Sequence, residues 1–154
     1  MTMDNTALAR KSLDRRFALL READFAMPPR GWLRAIREAL GMTVRQLASR
    51  MGAAPSRITA LEKAEVTGST TLKSLRAAAE AMDCTLVYAL VPTSSLEDMV
   101  KERARLRAEE ELRRVHHTMT LENQALTRDD LADERQRLID NMLAGSLRGL
   151  WDDA

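Results

Sequence analysis

Two stretches of the chain place reactive or ligand-seeking side chains at useful spacings. The first, MTVRQLASRMGAAPSRITALEKAE (residues 42–65), sets Arg45, Gln46, Ser56, Arg57, Thr59 and Lys63 among apolar positions at helical spacing. Guanidinium, ammonium, amide and hydroxyl groups on the outer face of a helix can hold phosphates and read base edges. The second, HTMTLENQALTRDD (residues 117–130), puts Thr118 one helical turn before Glu122, with Asn123 next. Residues four apart share a helical face, so the hydroxyl and the carboxylate are presented together. A carboxylate so presented can grip a guanidinium at two points. Asn123 tolerates left-handed backbone angles and so helps the chain leave the helix. The bland alternative for this stretch is a surface glutamate near a helix end.

Other chemistry is poorly supplied. There is no Gly-rich phosphate loop, and no nucleophile has a recognisable base partner, so we expect neither enzyme activity nor a cofactor. His116 and His117 are adjacent, project to different sides of a helix, and do not make a chelating pair. Cys84 is the one cysteine, which rules out an internal disulfide and suggests a reducing, cytoplasmic setting. No apolar run approaches the length of a membrane span, and no membrane association is expected. The net charge of +1 hides an asymmetry. Residues 30–66 carry seven basic against three acidic side chains, whereas residues 94–154 carry ten against fourteen. A basic middle and an acidic tail imply two surfaces with different partners.

The elements that would position these groups are mostly helices. Leu, Ala, Arg and Glu dominate, with four prolines and six glycines in 154 residues. Leu13, Phe17, Leu20 and Phe25 mark an amphipathic helix that Pro28-Pro29 ends. Four short helices follow, over 31–40, 43–51, 55–64 and 72–82, broken by Gly41, Gly52 and the polar turn VTGST. Then the period changes. TLVYALV, Thr85 to Val91, is β-branched and aromatic and runs into Pro92, which predicts a strand. No second strand-like run exists to pair with it, so its partner would be the same strand of a second copy in a two-fold dimer. Ser94 and Ser95 open a long charged helix towards Thr118, and Thr127 with Asp130 opens another that stops at Gly145.

The segment from Gly31 to Met82 resembles the phage-repressor-like (XRE) helix-turn-helix family, through RQLASRMG and SRITALE. The resemblance implies a compact bundle of about five helices bound to double-stranded operator DNA. It places Gln46 on a phosphate, Ser56, Arg57 and Thr59 at base edges, and Arg45 and Lys63 on the DNA backbone. Arg57 has the guanidinium that matches O6 and N7 of guanine. One departure is Ala54, where that family often has a Ser or Thr cap.

Thr118, Glu122 and Asn123 resemble the inhibitory helix of antitoxins that restrain Fic-domain enzymes, which transfer AMP from ATP to protein hydroxyls. The likeness runs from about Thr118 to Gly145. It implies that Glu122 pairs with the arginine that otherwise holds the ATP γ-phosphate, so that the nucleotide cannot reach in-line geometry. The whole layout, through PPRGWLRAIREALGMTVRQLA and LVYALVP, resembles the mobile mystery protein A family, which implies a Fic-domain neighbour.

The expected organisation is mainly α, with one strand and a C-terminal helical extension. It comprises an N-terminal helix (1–29), a DNA-binding domain (30–83), a dimerisation strand (84–93) and a toxin-binding segment (94–154). The expected function is an antitoxin and autorepressor of its own operon. The alternatives are a stand-alone XRE-type repressor and an antitoxin of a non-Fic toxin.

Overall fold

A computed structural model describes residues 5–121 and 127–152. The described residues form seven α-helices and one 3-10 turn, and divide into two compact units. No described helix is long and apolar enough to cross a membrane.

One unit spans Asp24–Leu90 and holds α2 (Trp32–Ala39), α3 (Val44–Arg50), α4 (Pro55–Thr67) and α5 (Leu72–Ala81). Its core is Leu33, Leu47, Ala48, Ile58, Ala78 and Met82, to which every one of the four helices contributes or lies adjacent. Local chemistry sets the boundaries. Thr43 and Gln46 make a reciprocal capping box at the start of α3: Thr43 N donates to Gln46 Oε1 at 2.8 Å, and Gln46 N to Thr43 Oγ1 at 3.2 Å. Gly52, at φ +60°, makes the turn between α3 and α4. Pro55 opens α4 at its first position behind an uncapped Ala54, and Gly68, in the left-handed region, ends it. Helix α4 therefore runs a turn beyond the Ala64 expected from sequence.

The other unit combines residues 1–23 with 91–154. It contains α1 (Asn5–Glu22), α6 (Leu96–Leu121), α7 (Arg128–Ala144) and the 3-10 turn Leu147–Leu150. Helix α1 serves the start of α6. Both Asp14 carboxylate oxygens accept from its first amides, Leu96 N at 2.7 Å and Glu97 N at 3.2 Å, while Arg10 pairs with Glu97. Ser95 Oγ adds a third cap by accepting from Asp98 N. Val100, Ala104 and Leu150 form the core of this unit, with Ile139, Met142, Leu143 and Leu147 packed on it. Arg103 Nε donates to Leu150 O at 2.6 Å and fixes the tail. The outer face of α6 carries the ion pairs expected of its charge pattern, Arg105 with Glu102 and Glu109 and Arg107 with Glu110.

The strand expected at Thr85–Val91 is not found in the single chain: residues 84–92 carry no regular secondary structure, and no strand occurs among the described residues. A strand is defined by a ladder of backbone hydrogen bonds, and a single chain offers this segment no partner edge. Val87, Tyr88 and Leu90 are left exposed, at 81%, 65% and 86%.

Candidate nucleic-acid interface

Helix α4 has two faces with opposite tasks. Its inner face carries Ile58 into the core and presents two carboxylates to α2. Glu62 takes Arg37 in a two-pronged ion pair, with Nε to Oε1 at 2.6 Å and Nη2 to Oε2 at 3.2 Å. Both residues are buried, at 7% and 6% exposure, and Arg37 Nη1 also donates to Met42 O. The hydrogen bond to Glu62 raises the Arg37 pKa further above its usual high value against the opposing effect of burial, so the guanidinium stays charged. Glu65 accepts from Leu33 N at 2.9 Å and so supplies the cap that α2 lacks from its own N-terminal neighbour Gly31. Gly31 sits at φ +83° and ψ 161°, and a Cβ there would lie 2.5 Å from Glu65 Oε2. The approach of α2 to α4 thus requires glycine.

The outer face of α4 is bare. Ser56, Arg57, Thr59, Ala60, Lys63 and Thr67 are all exposed. Among the described residues Arg45, Arg57 and Lys63 form no ion pair, and their charge is free to meet an external anion. Thr59 Oγ1 turns back to Pro55 O at 3.4 Å, a weak contact that leaves the hydroxyl able to swing outward. Ser56, Ala60, Lys63 and Thr67 recur at four, three and four residues, which makes them the centre of the exposed stripe. Arg57 and Thr59 flank it on opposite sides. Ala60 escapes a search for reactive residue types because its side chain is one methyl, yet a small apolar group is what can approach a thymine methyl.

This is a short helix, a tight turn and a second helix whose inner face is locked and whose outer face is basic. Residues 33–88 match the helix-turn-helix family. The matched residues cover just over a third of the chain and contain α3 and α4. Searches among curated proteins and among solved structures return no match.

Within the helix-turn-helix domain the sequence-derived residues fall into place unevenly. Arg45 is exposed in the first turn of α3, and Ser56, Arg57, Thr59 and Lys63 share the open side of α4. Gln46 is already engaged through its Oε1, so its amide nitrogen is what remains for a phosphate. Arg37, which counts towards the basic charge of the segment, is internally neutralised by Glu62 and contributes nothing to an external field. The signal for that pair was in the chain: Glu62 lies four residues after Ile58, on the buried face, where a carboxylate requires a cation.

Of the C-terminal motif, Thr118 is exposed in the last turns of α6, and its hydroxyl donates to Arg114 O at 3.1 Å. Glu122 and Asn123 lie outside the described residues. Past them, Thr127 and Asp130 make a capping box that starts α7, and the hydrogen bond from Thr127 holds the Asp130 carboxyl below its usual pKa. Among the described residues no group of His, Cys, Asp and Glu is arranged to hold a metal ion.

Proposed function

We propose that this chain is a transcriptional regulator that reads a two-fold operator through α4, and that residues 94–154 restrain a companion Fic-domain AMP-transferase. The DNA-binding part rests on one observation above others. The outer face of α4 holds Ser56, Arg57, Thr59 and Lys63 exposed, while Glu62 and Glu65 fasten the opposite face to α2. A helix held from behind and bare in front is suited to the major groove, with phosphate contacts from Arg45, Gln46 and Lys63. Two-fold reading needs two copies, and pairing of Thr85–Val91 with its equivalent supplies the missing ladder. Half-sites would then lie about 34–36 Å apart or at multiples of that spacing.

The test is binding to DNA from upstream of the chain's own reading frame over a salt series. Arg57→Ala should reduce discrimination at one base pair by about 1–3 kcal/mol. Arg45→Ala should weaken all sequences alike and lower the salt slope by about one. If neither property changes, α4 is not the reading helix.

The antitoxin part is supported by the Thr118, Glu122 and Asn123 pattern at the end of α6 and by the separation of residues 94–154 from the DNA-binding unit. In this reading Glu122 occupies the γ-phosphate arginine of the enzyme, and Thr118 exchanges its bond to Arg114 O for one to the enzyme. Glu122→Gly should leave the complex intact and restore AMP transfer by the bound enzyme. Unchanged inhibition removes the glutamate's role. A stand-alone repressor, or an antitoxin for another class of toxin, is the competing reading. A neighbouring product without a His-x-Phe and Gly-Asn-x-Arg signature would favour it.

A further inference from the structure

The hairpin of α6 and α7 is closed at one end and open at the other. Near Val100 and Ala104 it is sealed by Ile139, Met142 and the 3-10 turn. Towards its connection it opens into a groove of about 1260 Å³. The apolar part of its lining is Leu112, Leu131 and Ala132, and the polar part is Arg113, Arg128 and Arg135 with one carboxylate, Glu109, and the imidazoles of His116 and His117. Leu112 and Leu131 are only half-buried, and the three arginines are exposed. Among the described residues Arg113 and Arg128 have no carboxylate partner, and Arg135 reaches Glu109 only at 4.0 Å. These cations are gathered in a segment whose overall balance is ten basic to fourteen acidic side chains. The one carboxylate in the lining, Glu109, is paired with Arg105 on its own helix; Glu110, Glu111, Asp129 and Asp133 do not line the groove.

We propose that the α6–α7 groove is a docking site for an acidic amphipathic helix of a partner protein. The inference goes beyond the antitoxin reading and does not depend on Glu122. The opening is larger than a site for a small molecule, which typically encloses about 300–1,000 Å³. Its apolar strip suits the anchor residues of a helix laid along it, at intervals of three, four and seven. Nucleic acid would satisfy the arginines but has no aliphatic stripe for Leu112 and Leu131. Charge complementarity selects the sign of the incoming helix and excludes a second copy of α6 or α7 inserted through its own arginine-bearing side.

The test uses the full chain and a fluorescein-labelled 18-residue helical peptide carrying leucines on one face and glutamates elsewhere. Two controls replace its glutamates with lysine or its leucines with glutamine, and a duplex DNA serves as competitor. The expected result is saturable binding, at least about tenfold weaker for each control peptide and unaffected by the DNA. Arg113→Glu and Arg128→Glu should each weaken it by about tenfold or more, whereas Arg137→Glu, which is outside the groove lining, should not. Circular dichroism of each variant checks that the helices are retained. Failure of the acidic leucine peptide to bind overturns the proposal. So does equal binding by the glutamine control, equal binding by all three arginine variants, or displacement by DNA, which would make the groove a general polyanion site.

Discussion

Replacing Arg37 by methionine keeps most of the aliphatic stem and removes the guanidinium. The Glu62 carboxylate, 6% exposed, then stays buried without its cation, and Met42 O loses a donor. Breaking a buried pair from one side costs about 3–5 kcal/mol, because the remaining charge has lost both water and partner. In a domain of 60–100 residues each kcal/mol moves the melting temperature by about 4–8 °C, so the fall should be at least about 12 °C. The second single variant, Glu62→Leu, should fall by a similar amount. The double variant should return to within about 1 kcal/mol of the parent or exceed it, since an apolar pair of similar volume avoids the desolvation of two ions. The cycle can be read in a Trp151→Phe background, where Trp32 emission reports the Asp24–Leu90 unit without the other tryptophan. If each single change costs under about 1 kcal/mol, the value of a solvent-exposed pair, then Arg37 and Glu62 are hydrated and α4 is not held in the way described. If the double variant is as unstable as the sum of the singles, the two residues do not act on each other.

Three further outcomes follow from the same geometry. Ala60→Glu places a carboxylate at the centre of the exposed stripe, and should weaken DNA binding by about tenfold or more while shifting stability by no more than about 0.5 kcal/mol. Retained affinity in a gel-shift or anisotropy titration would mean that the stripe faces away from DNA. Gly31→Ala forces a backbone conformation that is nearly exclusive to glycine and displaces the Glu65 cap, for a loss of about 2–4 kcal/mol in urea denaturation. A parent-like midpoint would show that the close approach of α2 and α4 is slack. The depressed Asp130 carboxyl contributes stability that is complete above its ordinary pKa of about 3.9 and is lost as pH falls through the lower folded value. Amide exchange in the first turn of α7 should therefore rise below about pH 4, and Thr127→Ala should bring the Asp130 titration by NMR back to the ordinary range. An Asp130 that titrates in that range in the parent chain would refute the cap's influence.

What could be read from the chain alone was local. Thr43, Thr71 and Thr127 are helix starts whose partners lie three residues away, and Gly41 and Gly52 are stops, so those boundaries need no tertiary information. Ser56, Arg57, Thr59 and Lys63 were legible as an outer face because Ile58 and Leu61 fix the inner one. The features missed depend on distant partners. Arg37 reads as surface charge until α2 is laid against α4. Asp14 caps a helix more than eighty residues away, which no window around α6 can suggest. Thr85–Val91 has the side chains of a strand, yet a ladder needs a second edge, and strand propensity cannot supply one.

The contact of α1 with the start of α6 bears on the order in which the molecule is made. Ribosomal synthesis delivers the four helices of residues 24–90 as one uninterrupted stretch, and that part can acquire its fold as soon as it emerges. Asp14 and Arg10, made earlier, must wait with their charges solvated until Leu96 and Glu97 arrive. A nascent or truncated chain would accordingly acquire the α4 surface before it acquires the α6–α7 hairpin, so competence at DNA precedes competence at any partner of the tail.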